Sequence, residues 1–337
     1  MLHDKRPDCS VVIIHHNRIS MLCQQLMCYD KWDVGSLVIE FIVVDNSNLV
    51  STKQSVLRER FKWVRFIFLS ENKGPAHSRN IGIEVSTAEL IQFIDDDDLI
   101  TWEKLDSQIR YLLENSQTDV VIGGTQKTCW SEHNLPSLNQ IEVTYPAFNQ
   151  VTKFSDILKT DGFFQIGSAL FRRNSLNNIN GFNEKMLLIE DVNLYLRLFV
   201  SGAVMIVNKK SPFGLFWRGH PTNKSLSNSN HTKFLYGCLY NLLFCLEATI
   251  EKSEGDYRDI FHIMFNVLKN LDEKESTLRT EALDKLKKLT PFERFKYLPP
   301  AAIFSNVIGF QLLFLTSKVY RAIKVSTHRF IKPQFLR

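Results

Sequence analysis

Apolar and polar positions along the first third of the chain alternate between two periods. "CSVVII" (9–14), "EFIVVD" (40–45), "WVRFIFL" (63–69), "LIQFID" (90–95) and "DVVIGG" (119–124) are short, nearly continuous apolar runs. Runs of that length, rich in Val, Ile and Phe, are predicted to be strands buried on both faces. Between them the spacing becomes helical. Ile19, Leu22, Leu26 and Tyr29 recur at three- and four-residue intervals, and 52–60 is polar but helical in character. The segment 74–86 opens on Gly74 and Pro75, and proline suits a first helical turn. Residues 101–115 are amphipathic. Strands alternating with helices at this spacing predict βαβ units and an α/β fold, a mostly parallel sheet flanked by helices. Ligands of such sheets bind beyond the carboxyl ends of the strands. His15, Asp45 and Asp95 all fall there.

From about 125 to 165 the pattern loosens, with Pro136 and Pro146 suggesting an irregular, partly β connection. Order returns at "QIGSALFRR" (165–173), continues through a helix near 190–200, and reaches a further strand at "AVMIVN" (203–208). After the polar loop "RGHPTNKSLSNSN" (218–230) the remainder is largely helical in pattern. The expected organisation is an α/β domain over 1–230, with halves at about 1–124 and 125–230, and a helical C-terminal extension over 231–337.

Composition adds limits. The 337 residues are 44% hydrophobic and include 25 Phe, enough for a sizeable core, and the net charge of +5 is too mild to argue for a nucleic-acid partner. The charge is uneven, however. After Glu293 there is no acid, while Arg294, Lys296, Lys318, Arg321, Lys324, Arg329, Lys332 and Arg337 remain. That basic, aromatic-rich end suits peripheral contact with an anionic membrane surface, or a solvated tail helix. Its apolar residues also suit helix pairing between copies of the chain, a homo-oligomer. Residues 298–317 are interrupted by Pro299, Pro300, Asn306 and Gln311, so an interfacial or buried helix is expected there rather than a spanning one. Six scattered cysteines form no C-x-x-C pair, and "MLHDKRPDCS" has no apolar run of a signal peptide. A reducing, cytoplasmic setting is expected, at the inner face of the plasma membrane.

Asp95, Asp96, Asp97 and Asp98 are consecutive at the end of an apolar run. Like charges a few ångströms apart repel by about 1 kcal/mol per pair in water and about 4 at an effective dielectric of 20. Hard oxygen ligands after a strand suit Mn²⁺ or Mg²⁺. The plainer alternative is a helix cap, with Asp98 serving the helix that begins near Thr101, which explains one acid and not four. Arg79 lies one turn inside the helix after Gly74, where it could meet a phosphate or be a surface arginine. Glu190 and Asp191 stand at a helix start, where they could complement the dipole or supply a general base. His220 in "FWRGHPTNKSLS" could ligate a metal, bind phosphate, or be solvated. The chain has no G-x-G-x-x-G, against a dehydrogenase, and no glycine-rich loop after the first strand, against a nucleotidyltransferase.

Taken in order, "CSVVIIHHNR", "FIVVDNSN", "NKGPAHSRNIGI", "LIQFIDDDD", "GSALFRRNSLNNINGFNE" and "EDVNLYLRLFVSG" resemble the family 2 glycosyltransferases over about residues 9–230. The resemblance implies the GT-A fold, a Rossmann-like sheet, and inverting transfer from a nucleotide-diphosphate sugar, a UDP-sugar favoured, to a carbohydrate or lipid-linked acceptor. It implies a bacterial surface-polysaccharide setting. The first half of the domain would bind donor and the second would complete the acceptor side. Residue by residue, it implies that Asp45 meets the nucleotide base and Arg79 the diphosphate. Asp95 and Asp97 would fall on the D-x-D positions, Asp97 contacting metal directly, with His220 a further metal or diphosphate ligand. Asp191 would be the catalytic base with Glu190 beside it. His15, His16, Asn17, Lys73 and Asp96 would complete the nucleotide-sugar site. Where the family has an aromatic that often stacks on the base, this chain has His16, whose imidazole can still stack. A non-catalytic protein of the same fold is the rival reading, opposed by the presence of both the metal acids and the base position.

Overall fold

The computed structural model describes residues 6–48, 50–128, 143–158, 165–186, 188–209, 214–218 and 236–242, and a few isolated positions beyond. The chain divides into two compact units, Met1–Asn241 and Leu242–Arg337. All of the named elements belong to the first. They are β1 (Cys9–His15), α1 (Ile19–Tyr29), β2 (Ile39–Asp45), α2 (Ser51–Arg60), β3 (Val64–Phe68), α3 (Pro75–Val85) and β4 (Leu90–Asp95). Then come β5 (Leu99–Ile100), α4 (Trp102–Glu114), β6 (Val120–Ile122), β7 (Gly124–Thr128) and α5 (Phe154–Leu158). A 3-10 turn over Ile166–Ser168 leads into β8 (Ala169–Arg172), α6 (Arg173–Asn178), α7 (Glu190–Val200), β9 (Met205–Val207) and β10 (Gly214–Arg218).

The main sheet has the order β3-β2-β1-β4-β8-β6-β9. Its first four strands are parallel, as the continuous apolar runs predict. Val11, Val12, Ile13, Ile42, Val43, Val44, Ile91, Phe93 and Ile94 are fully buried, which requires cover on both faces. Register places the carboxyl ends level: His15 pairs with Asp45, and Ile14 with Asp95. Three polar strand tips therefore meet on one edge.

The second half departs from simple alternation. β8 runs antiparallel between β4 and β6, so "QIGSALFRR" supplies a central strand that its short pattern does not announce. The run at 119–124, expected as one strand, breaks at Gly123. Residues 120–122 stay in the main sheet, while β7 joins a small sheet of order β5-β10-β7. The amide of Gly123 donates to the carbonyl of Ser168 (2.9 Å), a bond that turns the chain out of the first sheet. The helix after the aspartates is capped by Thr101, whose side chain accepts from the Lys104 amide. Asp98 does not serve as that cap. Among the described residues no helix is long and apolar enough to cross a membrane, and the basic segment 294–337 lies outside them.

Beneath the 3-10 turn sits a buried polar cluster. Lys104, fully buried, donates to Gln92 and to the Gly167 carbonyl (2.9 Å). Gln92 donates to the same carbonyl (3.0 Å), and Gln108 to that of Ser168 (2.8 Å). Burial pushes the Lys104 amine well below its ordinary range. Proton linkage gives the sign. The unfolded chain holds a proton on Lys104 up to about pH 10.4, whereas the folded chain releases it well below that. The unfolded state binds more protons in the interval, so stability rises with pH there, by at most about 1.4 kcal/mol per unit. Denaturant unfolding between pH 7 and 10 should show this upward slope in the wild type and a reduced slope in Lys104→Met. Equal slopes would mean that the amine stays charged in the fold.

Candidate active site

The aspartate run is a tight turn closed from two sides. The amide of Asp98 donates to the Asp95 carbonyl (3.1 Å). Gln25, buried on α1, donates to the carbonyls of both Asp95 (2.8 Å) and Asp98 (2.7 Å). Gln25 thus satisfies two backbone carbonyls of the turn. Their repulsion is met by two arginines. Arg18 forms ion pairs with Asp96 and Asp97. Arg79 pairs with Asp95 (2.8 Å) and with Glu190.

Arg18 is delivered by the turn between β1 and α1. Asn17 sits in the left-handed region (φ 58°), which asparagine tolerates, and its amide donates to the Ser47 hydroxyl (2.7 Å). The His16 amide donates to Asp96 (3.2 Å), while its ring meets the Asn46 side chain (2.7 Å) and the Asn17 amide group (3.1 Å). His15 lies one step deeper, with Nδ1 3.3 Å from Asp45 and 3.2 Å from the Ser47 hydroxyl. Burial pushes His15 down to about 4, against the pull of Asp45, so the imidazole is neutral at physiological pH. Asp45 is buried and accepts from the Ser47 amide (2.6 Å). Asp96 is fully buried, and burial raises it to about 7 despite Arg18 beside it.

Arg79 comes from the buried face of α3, which starts at Gly74 (φ 90°) with Pro75 in its first turn. The resemblance placed it against a diphosphate. The structure places its guanidinium between Asp95 and Glu190, 5.4 Å over the Phe182 ring, and nearly inaccessible. Here it joins the aspartate turn to the start of α7. Lys73, just before Gly74, is exposed and pairs with Glu71 (2.7 Å).

Glu190 and Asp191 form the first turn of α7, where the helix dipole favours negative charge. Burial, with Glu190 alongside, raises Asp191 to about 7, and Arg79 opposes the shift. Asp191 also accepts from the Val192 amide (2.8 Å).

A metal fits this donor set. Asp95, Asp97 and Asp98 each offer a carboxylate oxygen, all within 4.8 Å of one another. All-oxygen, anionic ligation of that size suits Mn²⁺ or Mg²⁺. The sequence anticipated Asp95 and Asp97 and passed over Asp98 as a metal ligand. His220 lies outside the described residues. Arg18 and Gln25 were also missed. Nothing in the sequence links them to the aspartate turn, whose residues lie 79 and 73 positions on.

The fold is that of the GT-A glycosyltransferases, a mixed α/β sheet with its acidic turn at the carboxyl edge of β4. The family model for glycosyl transferase family 2 matches residues 10–179, and the chain belongs to that family. Over 82 residues (23% of this chain) it is 37% identical to an uncharacterized glycosyltransferase of Haemophilus influenzae. Over 109 residues (32% of this chain) it is 32% identical to the poly(ribitol-phosphate) beta-N-acetylglucosaminyltransferase TarP of Staphylococcus aureus. These matches span less than a third of either relative's own length, 32% and 31%. The crystal structure of S. aureus TarS 1–349 in complex with UDP-GlcNAc superposes with a TM-score of 0.67 at 15% identity, covering 94% of this chain and 92% of that one.

Removing one partner of a buried ion pair costs about 3–5 kcal/mol. Arg79→Met should therefore destabilise the protein by that order at pH 7.5, measured by chemical denaturation. A loss below about 1 kcal/mol, the scale of an exposed pair, would mean that Asp95 and Glu190 are compensated elsewhere.

Proposed function

We propose that the protein is a divalent-metal-dependent, inverting glycosyltransferase that moves a sugar from a nucleoside-diphosphate donor to a hydroxyl acceptor. The observation that carries this proposal is the single edge where Asp95, Asp97 and Asp98 face a common point and Arg79 ties Asp95 to the turn bearing Asp191. A UDP-sugar is the first donor to consider, since TarS was solved with UDP-GlcNAc and TarP is named for N-acetylglucosamine transfer.

In this reading Asp45, with neutral His15 beside it, accepts from the nucleotide base. His16 and Asn17 border the same edge, and exposed Lys73 lies where a diphosphate would pass. Asp96 acts from beneath by fixing Arg18 and the His16 backbone. Asp95, Asp97 and Asp98 would hold the cation, and when bound it supplies leaving-group stabilisation. Asp191 accepts the acceptor hydroxyl proton while that oxygen attacks the anomeric carbon. The bond from that carbon to the diphosphate oxygen breaks and the nucleoside diphosphate departs. Base and leaving group lie on opposite faces of the sugar, so configuration inverts. We place the reaction in bacterial surface-polysaccharide assembly at the cytoplasmic face of the membrane, the setting that suits the basic segment 294–337.

Calorimetry with UDP-GlcNAc and Mn²⁺ tests the donor side. Binding should require both components, and Asp97→Ala should abolish it. Binding by Asp97→Ala equal to wild type would remove Asp97 from the metal site. The base has its own signature. Transfer or donor hydrolysis should fall as pH drops through about 7, because Asp191 must be ionised to accept a proton. Asp191→Asn should lower kcat by about 10²–10⁴ and leave donor affinity within twofold. A flat profile between pH 6 and 8 would assign the base elsewhere.

A further inference from the structure

The turn that carries Glu190 and Asp191 is strained. Ile189, its N-cap, sits in the left-handed region with φ 54° and ψ 34°. For a β-branched residue that conformation is a genuine outlier. Nothing in its own side chain caps the helix. Such a backbone persists only where its surroundings impose it.

The surroundings come from a helical segment described from Tyr236 onward, well past the region matched by the family model. Three of its residues, at spacing i, i+3 and i+4, face the strained turn. Gly237 lies so close that an added Cβ would meet Ile189 Cγ1 at 2.7 Å and the Leu188 carbonyl oxygen at 2.9 Å. Tyr240 accepts at its hydroxyl from Asn183 (3.2 Å), in the segment leading into the turn. Asn241 is buried. It accepts from Asn193 on α7 (2.9 Å) and donates to the Ile189 carbonyl (3.4 Å). That carbonyl also receives the Asn193 amide (3.3 Å), the first hydrogen bond of the helix.

We propose that Gly237, Tyr240 and Asn241 form a clamp that holds Ile189 in its left-handed conformation and thereby positions Asp191 as the base. They are positioning residues: none needs to touch donor or acceptor. A turn released from the clamp relaxes Ile189 toward right-handed or extended backbone, and Asp191 swings with it because only one residue separates them from the pivot. Donor binding, built on β1, β2 and β4, is left intact as long as Glu190 keeps its ion pair with Arg79, which also holds Asp95. The clamp rests on the proposed role of Asp191, but its effect on the turn can be read without turnover.

Hydrogen exchange of peptides spanning 183–193 gives that reading. Asn241→Ala and, independently, Gly237→Ala should raise exchange there at least tenfold while leaving β1–β4 unchanged. The dissociation constant for UDP with Mn²⁺ should stay within twofold. The kcat for UDP release from UDP-GlcNAc should drop about tenfold with KM for donor unchanged, and the acid limb of the pH profile should move. Ile189→Gly removes the left-handed penalty, so adding it to Asn241→Ala should restore most of kcat. Unchanged exchange at 183–193 would overturn the clamp, as would an equal loss of UDP affinity and kcat or a failed rescue by Ile189→Gly. If the wild type itself shows no nucleotide-sugar turnover, the proposed function fails. The positioning of a base then falls with it, whatever the exchange shows.

Discussion

Two guanidinium groups make the carboxyl edge of this sheet tenable. Asp95, Asp96, Asp97, Asp98, Glu190 and Asp191 gather there, and most of them are buried. At an effective dielectric of 20, each close like-charged pair costs about 4 kcal/mol. Arg18 answers Asp96 and Asp97, and Arg79 answers Asp95 and Glu190. Each arginine also fixes geometry. Arg18 ties the turn after β1 to the aspartate turn after β4, and Arg79 ties the latter to α7. The site is therefore a chain of alternating charges, and moving one loop leaves an uncompensated group in the next. Two arginines do not neutralise six acids. Part of the remainder is relieved by protonation, since burial raises Asp96 to about 7. The rest is a residual negative field beside Asp95, Asp97 and Asp98, the field that a bound divalent cation would offset.

The same balance sets the chemistry available to Asp191. An ordinary aspartate near 3.9 is a poor proton acceptor at neutral pH. Burial and Glu190 move Asp191 up to about 7, while Arg79 stops the shift from running further. A carboxylate poised there combines useful basicity with substantial ionisation. Its placement in the first turn of α7 adds the favourable field of the helix N-terminus. Arg79 thus acts on both carboxylate groups at once, by a direct bond to Glu190 and through the field at Asp191.

The parallel half of the fold was legible because its strands are buried on both faces and leave unbroken apolar runs. β1, β2, β3 and β4 match their expected spans within a residue or two. β8 was not legible as a strand. Four residues carry little periodicity, and its antiparallel place between β4 and β6 is a tertiary choice. The site divides in the same way. Asp45, Asp95 and Asp97 announce themselves by lying at the ends of apolar runs. Gln25 and Arg18 do not, because their partners are more than 70 residues away. Arg79 was found but assigned to a diphosphate. Its engagement by Glu190, 111 residues on, is invisible until α7 is placed. The Thr101 cap was hidden by the acids before it, which offered a more conspicuous candidate.

The conformation of Ile189 shows how far the site extends along the chain. The proposed donor edge is assembled by residue 98 and the family-model match ends at 179, yet Asp191 lies beyond both and Asn241 further still. A strained backbone needs external contacts to persist, and here they are a carbonyl shared by two asparagines and a glycine that admits a helix at contact distance. Asparagine suits the shared position because one amide supplies both a donor and an acceptor; aspartate would supply no donor to the Ile189 carbonyl. Glycine suits its position because any side chain would have to displace Ile189 or Leu188. The parts of the site that would recognise donor are thus fixed by sheet register. The part that would move the proton is fixed by three residues on one face of a later helical segment. The two tasks can change separately only while Glu190 keeps its ion pair with Arg79, since that pair joins the later turn to Asp95.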